Sequence, residues 1–530
     1  MFKLIKKYEK IAKSNINTLF VIILLITTVL NLISFKAGHT WGDDFSMYIA
    51  QAKSIVEGSI RDLNEKQTIL ERYSSELHGP FFYPWGFPVM LSPVYMIFGF
   101  DILAMKIYVF LFFLSSLVIL FILFKDRLDD KNRLILVSFF ALNPVFFYFK
   151  ENVLSDLPFL FLSLFAIYLI KRFIFERKYI VSLPFSYFIL GFVIYYAFFI
   201  RHQGIVLFPI LLFCHLLENK DLLNKLKWNF FKEEFMQLVP YVTITLCFLL
   251  NNKLFPENFN SYVTFFLDQN LSITLWNNIV FYTMLPSEFF GSQLVFKILY
   301  FITFPFLLFG LIANFRKDCL FVSFVLLNLF ILLAFPCTTQ GIRYIFPMLP
   351  YYVYFFLKGA NEIMDRVTKA PCRNIFVCSI VFLIVVFMVS YFLRDINYVR
   401  KTFIDKHETL EGPYSNRASE MINFIKNSTG KRDIIAFFKP RALRLYTDRI
   451  SVVNYHIDEI IKYRIKYVAV YKYDMEEEGR MRFIDDISKS CHFTKIFENG
   501  EYAVYKLIVD DGKSTSSSGK SFSVRGTKKS

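Results

Sequence analysis

The sequence predicts an all-α polytopic membrane protein with interfacial helices and a small α/β domain at the C-terminus. Three observations predict it. Of 530 residues, 55% are hydrophobic, 67 being Phe and 31 Tyr, more apolar surface than a soluble fold can hide. About eleven windows are apolar and long enough to cross a bilayer. After residue 393 the pattern changes to short strands and amphipathic helices. The formal charge of +16, set beside long uncharged runs, fits loops facing an anionic cytoplasmic leaflet and argues against nucleic acid as a partner. Seven cysteines supply neither a disulfide framework nor a metal spacing.

Lys3, Lys6, Lys7, Lys10 and Lys13 precede the apolar run Asn17–Phe35. The run is too long for the core of a cleaved signal, and no small-residue cleavage site follows before Trp41. It predicts a retained signal anchor with a cytoplasmic N-terminus. Further spans are predicted at 102–124, 133–149, 157–175, 183–200, 204–217, 235–251, 292–314, 319–335, 342–358 and 375–393. The run 204–217 is short, and Pro347 and Pro350 interrupt 342–358, so partly re-entrant segments are open for both.

Phe81–Phe100 decides the topology. If it does not cross, the loops that hold Lys125, Arg127, Lys131, Arg177, Lys178, Lys225, Arg316, Lys317, Arg366 and Arg373 share one side with the N-terminus. The positive-inside rule then favours eleven crossings, with Phe81–Phe100 on the outer face, and Pro80, Pro84, Pro88 and Pro93 suit such an irregular element. This parity places the loop 36–101, the turn 149–157, the loop 252–291 and the tail outside. Residues 1–393 form the membrane module and 394–509 the external α/β domain. In that domain Ser415–Thr429 reads as a helix, and Asp433–Phe438, Ile450–Tyr455, Ile465–Tyr471 and Ala503–Val509 read as strands. Residues 510–530, rich in Ser, Gly and Lys, read as a disordered tail. The expected location is the inner (plasma) membrane, with the C-terminal domain external or periplasmic.

Three external clusters can carry chemistry. Asp43 and Asp44 stand side by side just after the first span, ahead of Phe45, Tyr48, Ile49, Ala52, Ile55 and Val56 at helical spacing. A helix cap needs one carboxylate, and a second beside it is costly unless a base, a metal or a cation uses it. Lys150, Glu151, Ser155 and Asp156 lie in a turn between apolar spans. Asp156 reads first as a cap, whereas Glu151 has no capping role. Arg201 with His202, and Arg343 with Tyr344, sit at outer helix ends. Singly each Arg reads as a lipid-facing snorkel, but several on one side read as a phosphate site. His78, Arg72 and Lys66 add donors in the first loop. There is no P-loop, no Gly-x-Ser-x-Gly elbow and no His-Glu-x-x-His. Cys337 and Cys491 are both placed outside, where pairing is open to them.

The order of these pieces resembles the membrane glycosyltransferases of the GT-C fold. More narrowly it is similar to the protein O-mannosyltransferase and lipid A aminoarabinose transferase superfamily, including the lipopolysaccharide-modifying branch. The matching stretches are Gly42-Asp43-Asp44 with its helix, Gly79 to Pro88, Glu151 to Phe159, Ile200 to Gly204, and Arg343 to Pro350. The resemblance implies an inverting transferase that moves a sugar from a polyprenyl-phosphate donor to a lipid, glycan or protein acceptor at the external face. It implies Asp43 as the catalytic acid, with Asp44 where relatives often carry Glu. It implies Arg201, His202, Arg343 and Lys150 as donor-phosphate ligands, and Glu151, Asp156, His78, Tyr83 and Tyr344 as substrate-site candidates. A divalent metal, Mg or Mn, stays open, with Asp43 and Asp44 its candidate ligands. The aminoarabinose transferases have Glu-Lys before the proline matching Pro84, and here Phe82 and Tyr83 stand there.

The residues agree independently. A carboxylate near an anomeric carbon can take the acceptor's proton, and cations can hold the departing phosphate. The competing class is a transporter or flippase of lipid-linked sugars, which predicts charges in mid-span and internal repeats; neither is visible here.

Overall fold

The computed structural model describes residues 2–76, 79–218, 236–255, 271–291, 294–335, 341–366, 386–402, 410–473 and 478–508. Helix α1 (Phe2–Leu32) opens the chain. Its Thr27, Thr28 and Asn31 return side-chain hydrogen bonds to carbonyls four residues back, so the helix carries polar groups without stranding them. Three short helices follow: α2 (Asp43–Glu57), α3 (Ile60–Tyr73) and α4 (Gly86–Phe98). Gly58 closes α2 in the left-handed region, at φ 66°, as its place in the sequence predicts. Helix α4 has 13 residues and is about 20 Å long, shorter than a bilayer core. Its tip, Met96, Ile97 and Phe98, is exposed.

The bundle continues with α5 (Ile102–Leu123), α6 (Asp130–Ala141), α7 (Pro144–Phe149), α8 (Asp156–Ile170), α9 (Leu183–Ile200), α10 (Leu207–Glu218) and α11 (Val239–Leu254). It ends with α12 (Leu271–Met284), α13 (Leu294–Asn314), α14 (Cys319–Ala334) and α15 (Leu349–Arg366). Among the described residues, five helices are long and apolar enough to cross a membrane: Asn15–Leu32, Ile102–Leu123, Asp156–Phe175, Leu183–Ile200 and Phe296–Asn314. The predicted window 133–149 is instead two helices. The Asn143 side chain accepts from Val145 N at 3.0 Å, and Pro144 starts a new helix there. Pro347 and Pro350 break 342–358 as expected: a 3₁₀ turn (Ile342–Ile345) precedes α15. Most of 375–393 falls outside the described residues, and 386–402 is helical.

The phenylalanines form the core. Phe146 alone meets Phe113, Phe140, Phe289 and Phe346 at 4.8–5.9 Å between ring centroids. Elsewhere the bundle packs backbone on backbone. A Cβ on Gly310 would sit 2.0 Å from the Phe355 carbonyl oxygen, and one on Gly359 1.9 Å from that of Phe306. Helices α13 and α15 therefore cross at a point only glycine permits.

The C-terminal unit contains α16 (Asn416–Ser428), β1 (Ile434–Ala436), α17 (Pro440–Thr447), β2 (Ile450–Val452), α18 (Ile457–Lys462), β3 (Tyr467–Tyr471), α19 (Glu478–Lys489), β4 (Phe493–Glu498) and β5 (Tyr502–Leu507). The sheet order is β2-β1-β3-β5-β4, with the first three strands parallel and the last two antiparallel. The sequence reading captured α16, capped by Ser415, and four strands; it missed β4 and the three short helices. Strand β4 alternates little, which hides it: only Phe493 is fully buried along it.

This unit is fastened to the first loop on both sides of the sheet. Leu70 of α3 joins the core made by Ala436, Val452, Val468 and Ile487. On the other face Trp41 donates to Tyr502 Oη at 3.0 Å and stands edge-on to Phe437 and Phe438. Ser75 N donates to the Val453 carbonyl at 2.8 Å, zipping the end of α3 to the chain after β2. Helix α17 thereby lies along α2.

Candidate active site

The site forms where α2 begins. Gly42 is the N-cap residue, in extended backbone, and no side chain caps α2. Asp43 and Asp44 therefore occupy the first turn, where the helix dipole favours them, with their carboxylates turned to other partners. Asp44 Oδ2 accepts from Arg343 Nη1 at 2.9 Å, and Oδ1 accepts from Tyr83 Oη at 2.5 Å. Burial pushes this carboxyl up, but the Arg343 guanidinium and the Tyr83 hydroxyl outweigh it and hold it below the usual range. Burial and the Asp44 charge together keep the Tyr83 phenol protonated, hence a donor. Asp43 Oδ1 accepts the backbone N–H of Arg441 at 3.2 Å, which brings α17 to the carboxylate pair.

A second ion pair stands behind the first. Arg201, at the end of α9, donates to Asp156 Oδ1 at the start of α8, and its guanidinium lies 4.6 Å from the Tyr344 ring centroid. Arg343 lies 5.4 Å from the same ring. Both cations thus stand against the Tyr344 ring, whose electron-rich face attracts them. Tyr48 of α2 shares a 2.9 Å hydrogen bond with Ser155, and its ring lies 4.8 Å from Tyr83. Gln51 Nε2 donates to the Tyr83 carbonyl at 2.9 Å, fixing the loop that carries the phenol. Gln203 Nε2 bridges Asn328 Oδ1 and the Tyr344 carbonyl, both at 3.0 Å, and anchors the Arg343 turn to α14.

Asp43, Asp44, Tyr83, Asp156, Arg201, Arg343 and Tyr344 are thus brought together, although they are scattered over 300 residues. Asp156 is not a cap: Ser155 holds that position, and Asp156 takes an ion pair. Lys150 and Glu151 are placed elsewhere, in a buried knot. Glu151 accepts from Lys150 Nζ at 2.5 Å and from Lys106 Nζ at 2.7 Å, and both lysines are fully buried. Burial brings the Lys150 ammonium down to about 8, with Glu151 opposing. Lys150 also donates to the Ser34 carbonyl at 3.0 Å, and the Lys36 N–H meets Glu151, so the knot ties the end of α1 to α5 and to the 149–157 turn. His202 lies 5.4 Å from the Phe198 ring, and burial lowers its imidazole to about 4. His78 and Cys337 lie outside the described residues; Cys491 is an exposed free thiol.

Sequence reasoning missed Lys106, Arg441 and Arg444. Lys106 reads as one charge in an apolar span. Arg441 and Arg444 lie three apart in a segment, Pro440 to Thr447, to which the sequence reading assigned no element, yet both are buried. Among the described residues no three His, Cys, Asp or Glu side chains gather as a metal group. Asp44 already uses both oxygens on Arg343 and Tyr83, and cations surround the pair. The residues present do not fit a divalent ion, and no step is derived through one.

This bundle, with its short helices after α1 and its terminal α/β unit, has the GT-C fold of membrane glycosyltransferases. It is similar to the crystal structure of ArnT from Cupriavidus metallidurans bound to undecaprenyl phosphate: TM-score 0.56, 12% identity, covering 92% of this chain and 98% of that one. It is also similar to the oligosaccharyltransferase AglB from Archaeoglobus fulgidus in complex with an inhibitory peptide and a dolichol-phosphate: TM-score 0.55, 12% identity, covering 91% of this chain and 73% of that one. No protein-family model matches the chain, and no curated protein matches its sequence.

Proposed function

We propose that this protein is an integral-membrane glycosyltransferase that moves a sugar, with inversion, from a polyprenyl phosphate to an acceptor at the external face. The observation that carries this reading is the adjacent carboxylate pair at the start of α2, held against Arg343 and Tyr83 at the meeting point of the bundle and the C-terminal unit. The two similar solved structures hold undecaprenyl phosphate and dolichol-phosphate, which supports a polyprenyl-phosphate donor. The lysine- and arginine-rich loops on the opposite side support the external placement.

In this mechanism an acceptor hydroxyl attacks the anomeric carbon, forming the new C–O bond. The C–O bond to phosphate breaks with its electron pair, and polyprenyl phosphate leaves. Asp43 receives the hydroxyl proton as general base, a contribution of about 10²- to 10⁴-fold. Arg343 offsets the charge that builds on the leaving phosphate, while Asp44 and Tyr83 fix the guanidinium beforehand. Arg201, neutralised by Asp156, keeps Arg343 and Tyr344 in register rather than binding phosphate itself. On this reading the acids and cations of the site act without a metal, and transfer is expected to persist in EDTA.

The test is mass spectrometry of surface lipids, glycans and proteins after loss of the gene product, together with reconstitution of the purified protein and polyprenyl-phosphate sugars in proteoliposomes. A missing sugar residue identifies the acceptor. An unchanged envelope, with no transfer in vitro, overturns the reading.

A further inference from the structure

Arg441 is fully buried, and two of its three guanidinium nitrogens, Nε and Nη1, have no hydrogen-bond partner among the described residues. Its Nη2 donates to the Pro80 carbonyl at 2.5 Å, and the guanidinium lies 5.6 Å from the Tyr83 ring centroid. Three residues on, the buried Arg444 repeats the pattern. Its Nη2 donates to Gln67 Oε1 at 3.0 Å, and Nε and Nη1 again have no hydrogen-bond partner among the described residues.

A buried donor left unpaired is expensive, and a buried cation more so. Arg441 and Arg444 both lie beside Asp43, whose Oδ1 takes the Arg441 backbone N–H. Burial, and then Arg441 beside it, pull the Arg444 guanidinium down to about 9, with Asp43 and Asp62 opposing. The missing partner is an anion with several acceptor oxygens. Gly79, at φ +85°, turns a bare Cα toward Arg441, and a Cβ there would stand 3.5 Å from Arg441 Nη1 and 3.3 Å from Tyr83 Oη. Tyr83 in turn holds Asp44, so this corner adjoins the carboxylate pair.

We propose that Arg441 is a phosphate ligand of the reaction site, contributed by the C-terminal unit, and that its two unpartnered N–H groups take oxygens of the polyprenyl phosphate. The donor site is then assembled from two parts of the chain: Arg343 from the bundle and Arg441 from α17. This rests on the glycosyltransferase reading above.

The test uses the full-length protein in nanodiscs, with ligand-induced thermal shifts measured on titration with undecaprenyl phosphate and, separately, inorganic phosphate. Arg441→Gln should weaken the response to both by about 10- to 100-fold, the worth of a charge-assisted pair. Its melting temperature without ligand should not fall, because an uncompensated charge has been removed. Arg441→Lys should recover part of the response, and Arg417→Gln, in a surface pair with Glu501, should behave as wild type. An undiminished ligand response in Arg441→Gln overturns the proposal. So does a lost response accompanied by protease release of the C-terminal unit, which would make Arg441 a docking staple. A wild-type protein that answers inorganic phosphate but not undecaprenyl phosphate, or neither, overturns the functional reading and this assignment with it.

Discussion

Asp43 and Asp44 are neighbours in sequence with different duties. Asp44 is spent on Arg343 and Tyr83, and Asp43 faces the C-terminal unit. Asp43→Asn is expected to cut transfer by about 10²- to 10⁴-fold while binding of polyprenyl phosphate survives, measurable by kcat against KM. Asp44→Asn is expected to abolish transfer too, but through a displaced Arg343, so donor affinity falls with it. Full activity in both single variants excludes the pair from the chemistry. His39 sets a pH dependence of stability. It stacks on Phe45 at 3.7 Å, donates from Nδ1 to the Thr40 carbonyl and accepts the Val153 N–H on Nε2, so it is held neutral. Burial lowers its imidazole from 6.5 to about 4. The unfolded chain therefore binds the proton first as pH falls. Stability is full above about pH 6.5 and declines between 6.5 and 4, by about 3 kcal/mol in all. His39→Gln should flatten that slope in melts recorded across the range. The acidic pair and the arginines were legible in the sequence because charge next to an apolar span stands out. Which acid meets which base was not, since Asp44 and Arg343 lie 299 residues apart.

At the scale of elements, two joints hold the site in place. The knot of Lys106, Lys150 and Glu151 fixes the exit of α1 against α5 and the 149–157 turn. Removing one partner leaves charge buried without compensation, so Glu151→Gln should cost about 3–5 kcal/mol, read as a lowered melting temperature. Replacing all three by apolar residues of similar volume should cost less. Equal losses would show that the knot acts by packing alone. The other joint is the α13–α15 crossing. Gly359→Val should separate these helices at a cost of about 1–3 kcal/mol, because the atom in the way is the Phe306 carbonyl, which cannot rotate aside. The helices themselves were legible from apolar run lengths. The break between α6 and α7 was only half legible: Pro144 was in view, but the Asn143 cap that makes the break favourable is a geometric fact.

For the whole molecule, the C-terminal unit is seated on the first loop and brings α17 to the carboxylate pair. Trp41 is the visible fastener, with its indole N–H on Tyr502 and its ring against Phe437 and Phe438. Trp41→Ala should speed proteolytic release of residues beyond 410 and lower transfer, while leaving the bundle's own melting transition in place. If release and activity are both unchanged, seating is maintained by α3 and the zipped strand end instead.

The sequence by itself determined the apolar helical bundle, the short proline-rich helix within Phe81–Phe100, the change of texture after residue 393 and the adjacent acidic pair at the start of α2. Apolar run length, proline placement and charge are local properties, and each can be read from a short window. Only the tertiary structure decided that Lys150 and Glu151 belong to a buried knot, that Asp156 pairs with Arg201, and that Arg441 reaches the carboxylates from the far end of the chain. Those outcomes depend on which surfaces become buried against each other, and the energy of a buried charge is fixed by its partners in space.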